Sequence, residues 1–566
     1  MLSPYRVVDL TDERGHLCGL MLAGLGAEVI AVEPPGGSRA RRLGPFADDI
    51  DHPERSLTHF AYNRGKKSVV LDLEEPGDRD RLRTLLAGAD VVITSDTPGR
   101  MADLGLAYEH LAPTHPHLIY ASISAYGQTG PKAQWAATDL TVMASSSTMA
   151  ATGDDDRAPV RVTIPQGFHF GAASATAGIL IALIERAHSG HGQHIDAAAQ
   201  WTATLGTQAG LLSTGVGATD ATRSAGGAVA GPIRLRLVYP AADGYVSITH
   251  VFGMPIGQNT ARLMDWVCEE GFCDEAMRDK DWVSYLELIE SGEESIEEWE
   301  EAKAAVEDLT SSKTKQELLD GAMERGLLMA PISTTADVLA SEQFAARGFF
   351  VDVDHPVLGR SIQAPGPFAR CSATPLPLLG PAPTIGAHTA EILDELPGPP
   401  PAADAPADGT DPADGTAPAD RTAPADATAT PDGAAPAART PTRAASLPGR
   451  ELGGDLPLSG LKVLDFTWSI AAPHAVRVLA DFGASVVKIE SATKQDAARG
   501  YRPVHNNEAG IENSALFDTM GAGKRSLALD LSKPAALEVV RELVAWADVV
   551  TESYSPKAMP AWGLAY

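Results

Sequence analysis

The sequence predicts an α/β protein: a parallel sheet with helices on both faces, followed by the opening part of a second copy. Two observations predict this arrangement. Short β-branched segments alternate with helical patterns from Tyr5 to Tyr126, and this alternation is typical of parallel sheets. Blocks of that region then return in the same order and at nearly constant spacing near the end of the chain. One block, "LAGLGAEVIAVE", ends at Glu33, and its counterpart, "LADFGASVVKIE", ends at Glu490.

The elements of the first copy follow from local patterns. The β-branched segments predict strands at Arg6–Leu10, Glu28–Val32, Ser68–Leu71, Val91–Thr94 and Leu118–Ser122. Helices are predicted at Gly15–Leu25, Asp78–Ala87 and Ala172–His188. The last of these should stop at Gly190, because glycine accepts the left-handed conformation of a helix end. Residues Trp282 to Glu324 are acidic and helical in pattern, and short strands return between Ala330 and Leu396.

Composition separates the two copies. Residues 397–455 consist largely of Pro, Ala, Asp, Gly and Thr, which cannot bury enough apolar surface to form a core. We expect this segment to be a disordered linker between a first copy at 1–396 and a second copy at 456–566. The second copy ends well before the full length of the first, so we expect it to be a truncated N-terminal part.

Charge and cysteine content indicate the class of protein. The formal net charge of −29 disfavours binding to nucleic acid and to anionic membranes. The four cysteines form neither a metal-binding pattern nor a disulfide framework. The N-terminus shows no signal peptide, and the longest apolar run, Gly178 to Ile184, is too short to span a bilayer. We expect a cytoplasmic protein with no nucleic-acid partner and no membrane partner.

An acidic residue closing the second strand, Glu33, is typical of dinucleotide-binding folds, where it holds a ribose. The loop after the first strand, Thr11 to His16, lacks the glycine fingerprint that brings the backbone against a pyrophosphate. A nicotinamide-dependent oxidoreductase therefore stays open only as a disfavoured alternative.

Six motifs in order resemble the family III coenzyme A transferases, the CaiB/BaiF group. They are "GLGAEVIAVEPPGG", "NRGKKSVVLDL", "GADVVITSDTPGRMADLGL", "LIYASISAYGQTGP", "SGHGQHIDAAAQ" and "APTIGAHTAEIL". The resemblance covers Val7 to about Leu393 and again Leu456 to Tyr566. It implies a Rossmann-like large domain at about 1–225 plus 330–396 and a smaller α+β domain at about 226–329. It also implies interlocked pairing, here within one chain or between two.

The resemblance implies a transferase that moves CoA between an acyl-CoA and a carboxylic acid through a nucleophilic aspartate. Acyl-CoA and the acid would be substrates, with no tightly bound cofactor and no metal. The position of that aspartate is Phe168 here, followed by His169, and a phenylalanine cannot form an acyl anhydride. We therefore expect a degenerate first copy, with the active aspartate in the continuation of the second.

Alternatives to this activity stay open. His169 is a candidate base or nucleophile, although such a histidine is more often structural. The chain could instead be a non-catalytic CoA-binding or scaffolding half. An acyl-CoA racemase of this fold is disfavoured, because its histidine would fall at Thr138 and its aspartate at Phe168.

Residues expected to contact CoA occur in both copies. Those of the first copy are Arg39, Arg42, Lys66, Lys67, Leu71, Ser95 and Asp96. Those of the second are Ser469, Ile470, Ala471, Leu529, Ser553 and Tyr554. The basic members would hold phosphates, although they could also be ordinary surface residues. The first copy departs from the family pattern at Asp12-Glu13-Arg14, where carboxylates would repel a nucleotide, so we expect the second copy to hold the better CoA loop.

Overall fold

The computed structural model describes residues 1–218, 223–230, 233–253, 257–396, 456–508 and 510–566, so the predicted linker lies outside the described residues. The first copy contains a six-stranded sheet in the order β3-β2-β1-β4-β5-β6, and every neighbouring pair is parallel. Its strands are β1 (Arg6–Leu10), β2 (Glu28–Glu33), β3 (Lys67–Val70), β4 (Val91–Thr94), β5 (Ile119–Ser124) and β6 (His194–Ala198). The predicted parallel α/β fold is confirmed, and β6 is an additional strand that the predicted set did not contain.

Helices cover both faces of this sheet. The helices of this part of the chain are α1 (His16–Gly24), α2 (Leu57–Tyr62), α3 (Pro76–Ala87), α4 (Arg100–Asp103), α5 (Tyr108–Leu111), α6 (Asp139–Ser145), α7 (Gly167–Ser189), α8 (Ala199–Leu205) and α9 (Gln208–Gly215). Apolar residues of α1 and α7 pack on one face and those of α3 on the other. The predicted end of α7 is confirmed, because Gly190 caps the helix with a φ of 76°.

Helix α7 is long and apolar enough to cross a membrane, with 23 residues and a mean hydropathy of 1.7 over its most apolar 18 residues. More than half of its most apolar stretch, 56%, is nevertheless buried inside the structure. It lies against β5 and β6, and its buried residues include Ala172, Ala175 and Ile179. This burial is typical of a core helix.

A further group of strands and helices, with its own antiparallel sheet, begins after α9. Its elements are β7 (Gly227–Ala230), β8 (Ile233–Arg236), β9 (Val238–Ala241), β10 (Gly244–Ile248), α10 (Gly257–Glu269), α11 (Glu275–Arg278), α12 (Tyr285–Ser291), α13 (Ile296–Ser311), α14 (Lys315–Arg325) and β11 (Met329–Pro331). The antiparallel strands β11, β10 and β9 form one sheet, and a core rich in aromatic residues packs against it. The acidic α13 turns its apolar face inward, so that Trp299 is fully buried.

The chain then returns to the large sheet. The elements of this part are α15 (Thr335–Leu339), α16 (Glu342–Ala346), β12 (Phe350–His355), β13 (Arg360–Pro365) and α17 (Thr389–Asp394). Thr389 Oγ1 accepts a hydrogen bond of 3.0 Å from Val70 N beside β3, and Ile392 lies in the same core as α3. Residues from both ends of the first copy therefore contribute to the same core.

The second copy repeats the first four strands. Its elements are β14 (Lys462–Phe466), α18 (Ala471–Asp481), β15 (Ser485–Glu490), α19 (Ala515–Gly521), β16 (Arg525–Ala528), α20 (Pro534–Trp546), β17 (Val549–Glu552) and α21 (Ala558–Ala561). The parallel sheet has the order β16-β15-β14-β17, which matches β3-β2-β1-β4. The copy packs against α7, where Ile181 contributes to a cluster with Leu458, Val463 and Val486.

Candidate functional site

Both copies hold the carboxyl ends of their first strands with the same buried ion pair. In the first copy, Lys66 Nζ lies 2.8 Å from Asp9 Oδ2, and both side chains are fully buried. In the second copy, Lys524 Nζ lies 2.8 Å from Asp465 Oδ2. Each lysine also donates a hydrogen bond to a backbone carbonyl of the helix that follows the first strand. The acceptor is His16 O in α1 and Pro473 O in α18. The pair therefore ties the segment before the third strand to the loop after the first.

This arrangement bears on a predicted CoA contact. The ammonium of Lys66 is surrounded by protein and bonded to Asp9 and to a carbonyl, so it does not fit the predicted contact with a phosphate. Burial lowers the pKa of its counterpart Lys524, although Asp465 opposes that effect. We assign both lysines to the framework of the sheet.

A second ion pair recurs at the end of the second strand. Arg41 Nε lies 2.6 Å from Glu33 Oε2, and its Nη1 lies 2.9 Å from Glu54. Arg499 and Glu490 repeat the contact at 2.6 Å in the second copy. Burial alone would raise the pKa of Glu33, but Arg41 lowers it to about 2. Because this carboxylate is committed to an arginine, it is not free to hold a ribose, which further disfavours the dinucleotide interpretation.

The second copy contains a cavity of about 760 Å³ at the carboxyl ends of its strands. Ligands of open parallel sheets bind at this edge. Three predicted residues, Leu529, Ser553 and Tyr554, line the cavity. Trp468 also lines it from the loop after β14. The predicted residues Ser469, Ile470 and Ala471 follow directly, at the end of that loop and the start of α18, and are not part of the cavity wall.

Aromatic rings form part of the cavity wall. The ring centroids of Trp468 and Tyr554 are 6.2 Å apart, and those of Tyr554 and Trp562 are 5.4 Å apart. Burial, followed by the charge of Asp496, raises the pKa of Tyr554 to about 12, so the phenol stays neutral. Neutral aromatic faces beside the side chain of Lys494 suit a planar base that carries phosphates.

The corresponding loop of the first copy makes different contacts. Arg14 Nη2 lies 2.7 Å from Asp12 Oδ2, and Ser95 Oγ donates to Asp12 Oδ1 at 2.9 Å. Burial alone would raise the pKa of Asp12, but Arg14 lowers it, so the carboxylate is charged. Burial raises the pKa of the neighbouring Asp96. The loop therefore presents carboxyl groups where the second copy has Trp468 and Tyr554.

The remaining predicted contacts of the first copy do not converge on one site. Arg39 is 71% exposed and lies 3.3 Å from Glu13, and Arg42 is exposed. Lys67 lies 2.8 Å from Glu391 at the surface. Leu71 is buried in the core under α3. These four assignments stay predictions, and the structure offers no shared pocket for them among the cavities it describes.

The nucleophile region of the first copy is apolar. Phe168 lies in the first turn of α7, is 8% exposed, and packs against Val142 and Ala199. The ring of His169 lies 4.9 Å from that of Tyr62. Burial lowers the pKa of His169, against the opposing charge of Asp139, so the imidazole is neutral near pH 7.

A carboxylate does lie at this helix end, but sequence reasoning did not single it out. Asp139 Oδ1 accepts hydrogen bonds from Gln166 N at 2.8 Å and Gly167 N at 2.6 Å. Asp139 therefore accepts from the first backbone N–H groups of α7, as a helix cap does. Across the described ranges, no group of three His, Cys, Asp or Glu residues could hold a metal ion.

Comparison with known proteins identifies the family. The family model for CoA-transferase family III matches residues 2–389 and 458–566. The chain is 34% identical over 397 residues to succinyl-CoA:(R)-benzylsuccinate CoA-transferase subunit BbsE of Thauera aromatica, covering 69% of this chain and 93% of that protein. It is 27% identical over 567 residues to the probable CoA-transferase Rv1866 of Mycobacterium tuberculosis, covering 96% of this chain and 60% of that protein.

A solved structure gives the same answer. The crystal structure of a CAIB/BAIF family protein from Brucella suis is similar with a TM-score of 0.59 and 28% identity, covering 70% of this chain and 98% of that one. The predicted resemblance is confirmed. The chain belongs to CoA-transferase family III, whose enzymes move coenzyme A between acyl-CoA thioesters and carboxylic acids.

Proposed function

We propose that the second copy binds the CoA thioester of the transferase reaction, and that the first copy is a degenerate half that does not carry out the covalent step. The observation that carries this proposal is the contrast between the two loops. In the second copy, Trp468 and Tyr554 line a cavity of about 760 Å³. In the first, the corresponding loop carries Asp12 and Arg14, which form an ion pair with each other.

The proposed reaction exchanges a thioester for a carboxylate. The bond between CoA sulfur and the donor acyl group is broken, and a new thioester forms on the incoming acid. One carboxylate oxygen of that acid ends on the donor acyl group, which leaves as a carboxylate, so there is no net redox change. Relatives of this chain are named for succinate–glutarate and succinyl-CoA:mesaconate transfer. Because these acids all carry two carboxylates, we propose a dicarboxylyl-CoA such as succinyl-CoA as the donor.

The degeneracy of the first copy is supported by its helix α7. The side chain of Phe168 is apolar, is packed against Val142, and carries no atom that could attack an acyl carbon. Asp139 is held by two backbone amides. A non-catalytic, CoA-binding or scaffolding role of the whole chain is the second candidate, and it is favoured by the same Phe168.

Binding of CoA can be tested by calorimetry on matched positions of the two copies. Tyr554 and Asp96 both follow the fourth strand of their sheets by the same number of residues. We expect Tyr554→Ala to weaken CoA binding about tenfold or more, since a base stacked on an aromatic ring contributes about 1–3 kcal/mol. We expect Asp96→Ala to leave the affinity unchanged. Equal losses in both variants would contradict the proposal.

The covalent step can be tested by following CoA exchange between succinyl-CoA and glutarate. We expect the parent chain and His169→Ala to exchange CoA at the same rate, because the proposed function gives His169 no part in the covalent step. A Phe168→Asp variant shows whether a carboxylate at this position is sufficient for transfer. If the parent chain exchanges CoA and His169→Ala abolishes the exchange, the histidine has replaced the aspartate and the proposed degeneracy is wrong.

A further inference from the structure

A buried ion pair is present in the second copy but has no equivalent in the first. Lys488 Nζ lies 3.0 Å from Asp496 Oδ2, and the side chains are only 6% and 3% exposed. Both residues line the cavity at the strand ends. The pair is separate from the framework pair of Lys524 and Asp465, which both copies share.

The pair holds the loop that follows β14. Lys488 Nζ donates to Thr467 O at 2.7 Å. Asp496 Oδ1 accepts hydrogen bonds from Ser469 N at 2.9 Å and from Ala498 N at 3.0 Å. Ser469 has a φ of 71°, a left-handed conformation that a residue with a side chain adopts only when its surroundings fix it. The hydrogen bond to Asp496 is one such constraint.

The first copy has small side chains at both positions. Asp465 pairs with Lys488 in the register of β14 and β15, and Asp9 pairs with Ala31 in the register of β1 and β2. The backbone N–H of Asp496 donates to the glutamate that closes β15, as does that of Ser38 to the glutamate that closes β2. Ala31 and Ser38 therefore stand where the second copy has its lysine and its aspartate.

The loops differ accordingly. In the first copy, which lacks the pair, Asp12 of the loop contacts Ser95 and Arg14. With the pair, the loop of the second copy is held by Lys488 and Asp496, and Trp468 lies on the cavity wall.

We propose that Lys488 and Asp496 are positioning residues that hold the loop at residues 467–470 in the conformation that places Trp468 on the cavity wall, and that they determine which copy accepts CoA. The part concerning CoA rests on the proposed function, whereas the part concerning the loop does not. Removing only one partner would leave an uncompensated buried charge, so the informative variant replaces both.

The test is the double variant Lys488→Ala/Asp496→Ser, which installs the first copy's residues and leaves the net charge unchanged. Hydrogen exchange followed by mass spectrometry reports on the amides of Ser469 and Ala498, which lose their acceptor. We expect exchange in these segments to become about tenfold faster, since one hydrogen bond contributes about 0.5–1.5 kcal/mol. We expect CoA affinity to fall by a similar factor.

Further variants and readouts keep the proposal falsifiable. Lys488→Arg keeps the charge and should retain most of the affinity, whereas the double variant should not. If the double variant is folded by circular dichroism and both loop exchange and CoA affinity equal those of the parent, the proposal is wrong. If the parent itself binds no CoA, the proposed function fails, and hydrogen exchange alone then decides whether the pair holds the loop.

Discussion

The two copies share a framework and differ at the edge where a ligand would bind. Both have a lysine–aspartate pair at the carboxyl end of the first strand and an arginine–glutamate pair at the end of the second. The distances in the two copies agree within 0.1 Å. The loop after the first strand differs in both sequence and contacts. Within one chain, the contacts that hold the sheet together are therefore kept in both copies, while the contacts at the edge of the sheet differ.

The copies also differ around the helix that precedes the third strand, which is α2 in the first copy and α19 in the second. His59 is the third residue of α2, where its backbone N–H donates to the capping Ser56, and Phe517 has the same relation to Ser514 in α19. In the first copy, Asn63 bonds to His59 and to His16, and all three side chains are buried. The second copy instead stacks Arg499 on Phe517, 3.8 Å from the ring centre. The first copy thus contains a buried polar cluster that the second replaces with an aromatic contact.

The largest expected effect tests the part that the copies share. We expect Lys66→Met and Lys524→Met each to lower the free energy of unfolding by about 3–5 kcal/mol, because each leaves a buried carboxylate without its partner. The control is Lys67→Met, which removes two partly exposed ion pairs, with Glu28 and Glu391, and should cost less than about 1 kcal/mol for each pair. Chemical denaturation measures all three. A loss in only one copy would show that the framework is not equivalent.

The next effect concerns the pH dependence of stability, to which two buried histidines of the first copy contribute. Burial, followed by the charge of Lys66, lowers the pKa of His16 to about 4, and burial followed by Arg41 lowers that of His59 to about 2. Unfolding restores a pKa near 6.5, so the unfolded chain binds more protons as the pH falls below that value. Each histidine should therefore reduce stability by about 2 kcal/mol at pH 5 relative to pH 8.

The variant His59→Phe installs the residue of the second copy and tests this difference. We expect it to remove the contribution of His59, about 2 kcal/mol, from the loss of stability between pH 8 and pH 5, measured by urea denaturation at both values. Phe517→His in the second copy is the reciprocal variant and should introduce an acid-sensitive loss there. An unchanged pH dependence in His59→Phe would assign the acid sensitivity to other groups.

Much of the fold could be predicted because its signals are local. Alternating apolar segments located β1 to β5 within about two residues, and Gly190 located the end of α7. The strand β6 was not predicted, since "HIDAA" is short and most of its side chains are partly or fully exposed. A sheet edge of this kind carries little hydrophobic pattern.

The site was less predictable because its contacts join distant parts of the chain. Sequence reasoning predicted that the second copy holds the better CoA loop, and it named Ser553 and Tyr554, which line the cavity of that copy. It grouped Lys66 with phosphate-binding residues, although the strand order buries this side chain against Asp9. It also did not single out Asp496, whose importance depends on a backbone N–H of a loop 27 residues earlier in the chain.

The smallest expected effect concerns the basic residues after β2. Arg39 is 71% exposed and lies 3.3 Å from Glu13, whereas Arg41 is fully buried against Glu33. If the first copy binds no CoA, Arg39→Ala should change neither the affinity for CoA nor the stability by more than about 1 kcal/mol, the usual limit for a surface ion pair. Arg41→Ala is the contrasting variant, and it should destabilise the first copy strongly because Glu33 would lose its buried partner. Calorimetry with CoA and urea denaturation measure the two quantities. A clear loss of CoA affinity in Arg39→Ala would mean that the first copy does contribute a phosphate contact, and the two copies would then share the ligand.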